Sequence, residues 1–332
     1  MSDKKLSKLT EVARVYFLEN RTQAEIARNL DISRSQVSRY LSEAREMGIV
    51  QIRIIEPNKK DSDLGQTLQQ RYPSLHNVIV APVFETSADA VRTIIGRYAA
   101  NFLLDIIQPG QQLSLGCGRT LEVMVKALPE QAMSNVTVAQ AMGNLGHEAH
   151  KIDYNEIARV AAEKLGGNVL YLSAPAILGR GSGKADEFVR ANQMLQKTLG
   201  IACDADIYMV GLGSMESDLV YTRFGLIASE ELQALKGKAV GDICGHFFDI
   251  NGQEKASAFN DRIVGITLDN IRQAKISIGV AGGSDKVAPL LGAVRGKFIN
   301  VLISDEQTVH SIIALDDTCP FPPASNNNKE SC

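Results

Sequence analysis

Much that would mark a specialised class is missing from this chain of 332 residues. No apolar run approaches the roughly 18 residues that cross a bilayer, so a membrane protein is not expected. Met1 to Lys8 are polar and charged, without the apolar core of a secretory leader, so none is expected. Five cysteines (Cys117, Cys203, Cys244, Cys319, Cys332) are scattered, odd in number and form no C-x-x-C pair. That argues against a zinc module and a disulfide framework, and fits a reducing cytoplasm. Aromatic residues make up only 5%. With 45% apolar and 22% charged residues, the composition is that of a soluble globular protein, long enough for two or three domains. The phosphate-binding spacing G-x-x-x-x-G-K-[ST] is absent, which argues against nucleoside triphosphate hydrolysis. Gly146-His147-Glu148-Ala149-His150 lacks the H-E-x-x-H spacing of a zinc helix and reads as a surface loop or lid. No metal and no cofactor is expected.

The formal charge of −3 conceals an asymmetry. Residues 1–60 hold twelve Lys and Arg against eight Asp and Glu, a net of +4, and the rest carries −7. A small basic head joined to a larger acidic body suggests a polyanion-binding unit on a body with another task.

The head reads as three helices. Leu6, Leu9, Val12, Ala13, Tyr16 and Phe17 recur at helical spacing. A second helix starts at Thr22, with Glu25 completing a capping box, and buries Ile26, Ala27 and Leu30. After the turn Asn29-Leu30-Asp31-Ile32, a third starts at Ser33, with Gln36 as its box-like partner. It turns Val37, Tyr40, Leu41 and Ala44 inward and ends at Gly48. Two capped helices across a tight turn predict a helix-turn-helix whose second helix enters the major groove. Its outward face is Arg34, Ser35, Gln36, Ser38 and Arg39. Arg can pair with guanine, Gln with adenine, and Ser with a base or phosphate. Thr22 and Gln23 are placed for backbone phosphate. Alternation over Val50, Ile52, Ile54 and Ile55 suggests a short strand or wing, and Glu56 to Asp61 reads as linker.

From Asn77 onward, apolar runs alternate with amphipathic stretches. Strands are expected at 78–81, 113–115, 136–140, 169–172, 206–210, 276–280 and 299–303. Helices are expected at 90–107, 121–128, 154–165, 185–199 and 286–294. This pattern predicts an open, doubly wound α/β domain with a mainly parallel sheet, whose ligand binds beyond the carboxyl ends of the strands. Three glycine-rich loops follow strands: Gly116-Cys117-Gly118-Arg119-Thr120, Gly211-Leu212-Gly213-Ser214 and Gly282-Gly283-Ser284-Asp285-Lys286. The first and last open helices and add cations. Together the three suit a small anionic or sugar-like ligand, although tight packing alone also explains a G-x-G turn and the Gly211 loop. Cys117 has no evident base beside it and reads as a small packing residue. Asp242 either accepts from sugar hydroxyls or caps a local turn.

TQAEIARNLDISRSQVSRYL in the head, with SLGCGRTL, AVGDICGHFFDINGQ, NDRIVGITLDNIR and IGVAGGSDKVAPLLGAVRGKFINVLISDE in the body, resembles the SorC family of bacterial sugar-responsive transcription regulators over residues 6–314. The resemblance implies a winged or extended helix-turn-helix and an effector domain of sugar-phosphate isomerase type without catalysis. It also implies a homo-oligomer, a tetramer, that binds operator DNA under the control of a sugar or phosphosugar. It places Gly116, Gly118 and Thr120 in a phosphate-binding turn, Gln140 at a strand end lining the cleft, Asp242 and Cys244 against sugar hydroxyls, and Lys286 as the cation of an A-G-G-x-x-K motif. Arg119 contacts the effector or points outward. A deoxyribonucleoside-regulator branch carries an imine-forming lysine where this chain has Met142, and a thioether cannot form an imine. The expected function is that of a cytoplasmic repressor of a carbohydrate-utilisation operon; the alternative is an active sugar-phosphate isomerase or deaminase with a DNA-binding head. The expected domains are 1–55 (head), 56–63 (linker), 64–314 (effector binding and oligomerisation) and a disordered tail at 315–332.

Overall fold

The computed structural model describes residues 3–50, 62–85, 87–130, 135–145, 153–216, 220–255 and 257–320. The wing beyond Val50, the linker up to Asp61, the His147–His150 cluster and the tail beyond Pro320 lie outside the described residues. The chain divides into two compact units, Met1–Pro57 and Asn58–Cys332.

In the first unit, α1 (Asp3–Phe17), α2 (Gln23–Asn29) and α3 (Arg34–Glu46) are the three expected helices. Thr22 and Glu25 form a reciprocal box: the Glu25 N–H donates to Thr22 Oγ1 at 3.3 Å, and the Thr22 N–H donates to Glu25 Oε2 at 2.8 Å. These bonds satisfy backbone donors that would be orphaned at the start of α2. Ser33 accepts from the Gln36 N–H at 3.1 Å and starts α3 in the same way. Gly48, with φ of +70°, follows α3 in the left-handed conformation expected there. Val12, Ile26, Ala27, Val37 and Leu41 form the buried centre. Leu6 departs from the expected stripe and is exposed.

The second unit begins with α4 (Asp63–Arg71), capped by Ser62. There follow β1 (Asn77–Ala81), α5 (Ala88–Ile106), β2 (Gln112–Leu115), α6 (Arg119–Ala127), β3 (Thr137–Gln140), α7 (Tyr154–Lys164) and β4 (Asn168–Leu170). Next come α8 (Ala185–Arg190), α9 (Gln193–Cys203), β5 (Ile207–Val210), β6 (Gly213–Ser214), α10 (Val220–Arg223) and α11 (Ser229–Leu235). The remainder is β7 (Gly241–Ile243), β8 (His246–Phe248), α12 (Leu268–Gln273), β9 (Ile276–Val280), α13 (Val287–Arg295), β10 (Val301–Asp305) and α14 (Glu306–Thr318). Among the described residues, seven strands make one parallel sheet in the order β1-β10-β9-β5-β2-β3-β4. The chain winds outward in opposite directions from β2 and β5, so a crevice opens between their carboxyl ends. Every residue of β5 and of β10 is buried, as a sheet covered on both faces requires.

Three differences from the expected pattern have local causes. A small antiparallel sheet, β6-β7-β8, joins the parallel one; its strands are two or three residues long, too short for alternation to show. The helix expected over 185–199 is two helices, because the Asn192 side chain accepts from the N–H groups of Met194 and Leu195 and starts α9 afresh. The third is a correction to the tail at 315–332. Helix α14 continues through Leu315 to Thr318, because its last turn is tied down: Asp316 accepts from Arg295 Nη2 at 2.7 Å, and Arg71 Nη1 reaches Asp316 and Asp317 at 3.3 and 2.5 Å. The Arg295 side chain is fully buried, so Asp316 supplies a countercharge that the fold needs.

Candidate functional site

On α3, Arg34, Ser35, Ser38 and Arg39 are exposed on one side, as expected of a groove-reading face, while Gln36 is half-buried. Arg39 lies 4.0 Å from Glu43, a loose surface pair from which phosphate could draw it. Thr22 is less free than the expected phosphate contact implies, since its hydroxyl donates to Glu25 Oε2 at 2.8 Å within the capping box. The bonds from the Thr22 backbone and hydroxyl hold the Glu25 carboxyl below its ordinary range, so the cap is charged at neutral pH.

In the second unit a cavity of about 400 Å³ opens at the crevice between β2 and β5, and all three glycine-rich loops line it. The β2–α6 turn contributes Cys117, Gly118, Arg119 and Thr120; the β5–β6 turn contributes Gly211 to Ser214; the loop after β9 contributes Gly282 to Lys286. The Gly211 loop, which packing alone could have explained, is thus part of the wall. Lys286 Nζ rests 3.1 Å from Asp285 Oδ2. The Gly283 N–H is turned away from the cavity and donates to Asp305 Oδ2 at 3.1 Å and Thr308 Oγ1 at 2.8 Å. Asp305 also caps α14, so the start of that helix pins the cation-bearing loop.

The inner wall is different in character. Asp242 on β7 is 4% exposed; its Oδ2 accepts from the Tyr221 hydroxyl at 2.9 Å and the Gly245 N–H at 2.9 Å. Burial pushes this carboxyl above its ordinary range, against the Gly245 and Tyr221 bonds and the positive field of Lys286. It both closes the Gly245 turn and lines the cavity. Gly213 makes this possible: a Cβ there would lie 1.8 Å from Asp242 Oδ1. Burial pushes the Cys117 thiol up to about 12, partly offset by its bond with Tyr154, so at neutral pH it is a thiol rather than a thiolate. Cys244, at φ of +49°, is buried and raised for the same reason. Tyr154 and Tyr221 are likewise held neutral by burial. The cavity therefore pairs a cationic rim with an inner wall of uncharged hydroxyls and thiols around one carboxyl.

Gly118, Arg119, Thr120, Asp242, Cys244 and Lys286 are all brought together as expected. Two expected contacts are not. Gly116 is buried behind the turn, its N–H donating to Met209 O at 2.9 Å, where an added Cβ would meet Met209 O at 3.3 Å. Gln140 is 3% exposed and turned away: it accepts from the Leu172 N–H at 2.8 Å and donates to Asn155 Oδ1 at 2.9 Å. Both are structural supports of the cleft. Sequence reasoning missed Arg92 of α5, Tyr154 of α7, and Tyr221 and Arg223 of α10, which reach the cavity from helices remote in the chain. Met142, the place of the imine-forming lysine, does line the cavity.

A helix-turn-helix unit joined to a doubly wound body with such a cleft is the arrangement of a DNA-binding transcription regulator with a ligand-binding domain. Residues 56–314 match the family described as "Putative sugar-binding domain", and residues 8–46 match region 4 of sigma-70. The chain is 31% identical to the deoxyribonucleoside regulator of Bacillus subtilis, over 91% of this chain and 96% of that one. It is 29% identical to the sorbitol operon regulator of Klebsiella pneumoniae, over 92% and 97%. The crystal structure of that full-length sorbitol operon regulator superposes with a TM-score of 0.72 at 27% identity, covering 94% of this chain and 99% of that one. The chain belongs to this family of sugar-binding regulators, the SorC family. It is a DNA-binding transcription regulator of sugar metabolism, and the alternative of an active isomerase or deaminase falls, since these relatives are regulators.

Proposed function

We propose that the protein is a repressor of a carbohydrate-utilisation operon, released from its operator by a phosphosugar. What carries this reading is the division of one cavity into a cationic, glycine-lined rim around Arg119, Thr120 and Lys286 and an inner wall of neutral donors and acceptors around Asp242. A phosphate suits the rim, where glycines allow close backbone approach and cations offset its charge. Hydroxyls suit the inner wall, where Asp242 and the Tyr221 oxygen, whose proton is already given to that carboxylate, present acceptors side by side. On this reading Gly118, Arg119, Thr120 and Lys286 hold the phosphate, and Asp242 and Cys244 face the sugar. With Met142 in the cavity in place of a lysine, the ligand is held without a covalent bond.

The effector acts by binding one arrangement of the assembly better than another, shifting its population by no more than that difference in affinity. A tetramer suits this control, because changing the spacing of linked heads removes avidity without disturbing any base contact. Among the described residues no helix is long and apolar enough to cross a membrane, in keeping with a cytoplasmic site of action. No cofactor is needed beyond the effector.

Thermal-shift titration against sugars and their phosphates tests the reading, since a ligand that binds only the folded state raises the melting temperature. A phosphosugar is expected to stabilise the chain and its unphosphorylated parent much less, and Lys286→Ala is expected to erase that difference while still binding operator DNA. Equal stabilisation by both forms, or a normal response in Lys286→Ala, would overturn the phosphate assignment. Sedimentation velocity checks the tetramer.

A further inference from the structure

One contact on α3 has a bearing on which base the head reads. Gln36 and Tyr40 lie one helical turn apart, so their side chains meet on the same face. Gln36 Nε2 donates to the Tyr40 phenol oxygen at 2.9 Å. The Tyr40 ring is itself held, half-buried and packed against both apolar clusters of the head, the one that holds Val37 and Leu41 and the one that holds Leu9 and Ala44. Its oxygen is therefore an acceptor fixed by the core, sitting at the edge of the exposed face that carries Arg34, Ser35, Ser38 and Arg39.

We propose that Tyr40 is a specificity-determining residue, whose hydroxyl holds the Gln36 amide in the orientation that reads adenine in the major groove. A primary amide has two N–H donors and one carbonyl acceptor. When the hydrogen on the far side from the carbonyl is given to Tyr40, the other N–H and Oε1 remain side by side on the free edge. That donor–acceptor pair complements the N7 acceptor and N6 donor of adenine. Without the Tyr40 bond the half-buried Gln36 amide keeps rotational freedom that it loses only on binding, which weakens the contact. With it, the amide is oriented before DNA arrives. The proposal rests on α3 being the groove-reading helix, and the variants below separate the two.

The test is selection of a randomised duplex library by the full-length chain and by Gln36→Ala, Gln36→Glu and Tyr40→Phe. Each variant is matched to the wild type in melting temperature and in affinity for a non-specific duplex. The wild type is expected to enrich adenine at one position of each half-site. Gln36→Ala is expected to flatten that position alone, losing about ten- to a hundredfold in preference, the range for a bidentate base contact. Tyr40→Phe keeps the ring and its packing but loses the acceptor, and is expected to lower the adenine preference about three- to tenfold, as for one hydrogen bond. Gln36→Glu, still oriented by the Tyr40 hydroxyl, is expected to turn the preference to cytosine, whose N4 amino group donates to a carboxylate.

Full adenine preference in a folded Tyr40→Phe chain overturns the role of Tyr40 and leaves the groove reading standing. If no position is flattened in Gln36→Ala and Arg34→Ala binds operator as the wild type does, the groove reading itself falls. Should Tyr40→Phe melt well below the wild type, selection at a temperature where it is fully folded decides by the same comparison: a lowered adenine preference supports the fixed orientation and a full one overturns it.

Discussion

Gln140→Ala is expected to lower the melting temperature of the second unit and to leave effector affinity almost unchanged. The side chain is 3% exposed and joins three parts of the fold: the end of β3, the Leu172 backbone at 2.8 Å and Asn155 on α7 at 2.9 Å. Truncation leaves the Leu172 N–H, on a residue only 1% exposed, without its acceptor. A buried donor stranded in this way costs about 1–3 kcal/mol. Asn155 is half-buried and can turn to water, so its loss adds little. The vacated volume beside β3 adds about 1 kcal/mol, less than for a large apolar side chain. The sum is about 2–4 kcal/mol, which for a unit of this size lowers the melting temperature by about 4–7 °C. Calorimetry gives the first quantity, and titration of a phosphosugar at a temperature where the variant is fully folded gives the second. An unchanged melting temperature with effector affinity weakened tenfold or more would refute the reasoning and return Gln140 to the cleft.

Three further perturbations probe other parts of the molecule. Gly213→Ala is expected to abolish the effector response and cost about 1–3 kcal/mol of stability, because the new methyl would lie 1.8 Å from Asp242 Oδ1; a normal thermal shift with effector would contradict this. Asp316→Ala leaves the fully buried Arg295 without its carboxylate and is expected to cost about 3 kcal/mol in chemical denaturation. Burial pushes Asp316 up, but the bonds from Tyr72, Arg295 and Arg71 pull it below its ordinary range. Its stabilisation is therefore full above the unfolded value of about 4 and is lost as pH falls through the lower folded value, so Asp316→Asn should flatten the acid limb of the stability curve. Arg34→Ala and Arg39→Ala are each expected to weaken operator binding and to lower the slope of log affinity against log salt by up to about 1 for a lost phosphate contact; unchanged affinity in both variants would remove α3 from the groove.

The parts legible in the sequence are those encoded by neighbours in the chain. Thr22 with Glu25 and Ser33 with Gln36 mark helix starts because a cap is a bond between residues three apart, as the structure confirms. The strands were visible as apolar runs, and the glycine loops after them located the cleft, since in a doubly wound sheet a ligand lies beyond the strand ends. Gln140 shows where that reasoning stops. Its place at the end of β3 was readable, but which way its side chain points depends on register, Leu115 opposite Gln140, and on the loop that brings Leu172 over it. The helical turn around Asp316 was equally hidden, because its partner Arg71 is 245 residues away.

The sequence by itself therefore determined the class of protein. A basic head with two capped helices and a body of alternating strands and helices need only local spacing and composition to be recognised. Tertiary structure alone decided the chemistry of the cleft. It pairs Gly213 with Asp242 across two strands too short to announce themselves, and it brings Tyr154 and Tyr221 from separate helices to the same wall. Burial then holds the Cys117 thiol and the tyrosine hydroxyls neutral and raises the carboxyl of Asp242. Proton affinity follows from solvent exclusion and near neighbours in space, which are set by the packed chain and have no signature in residue order.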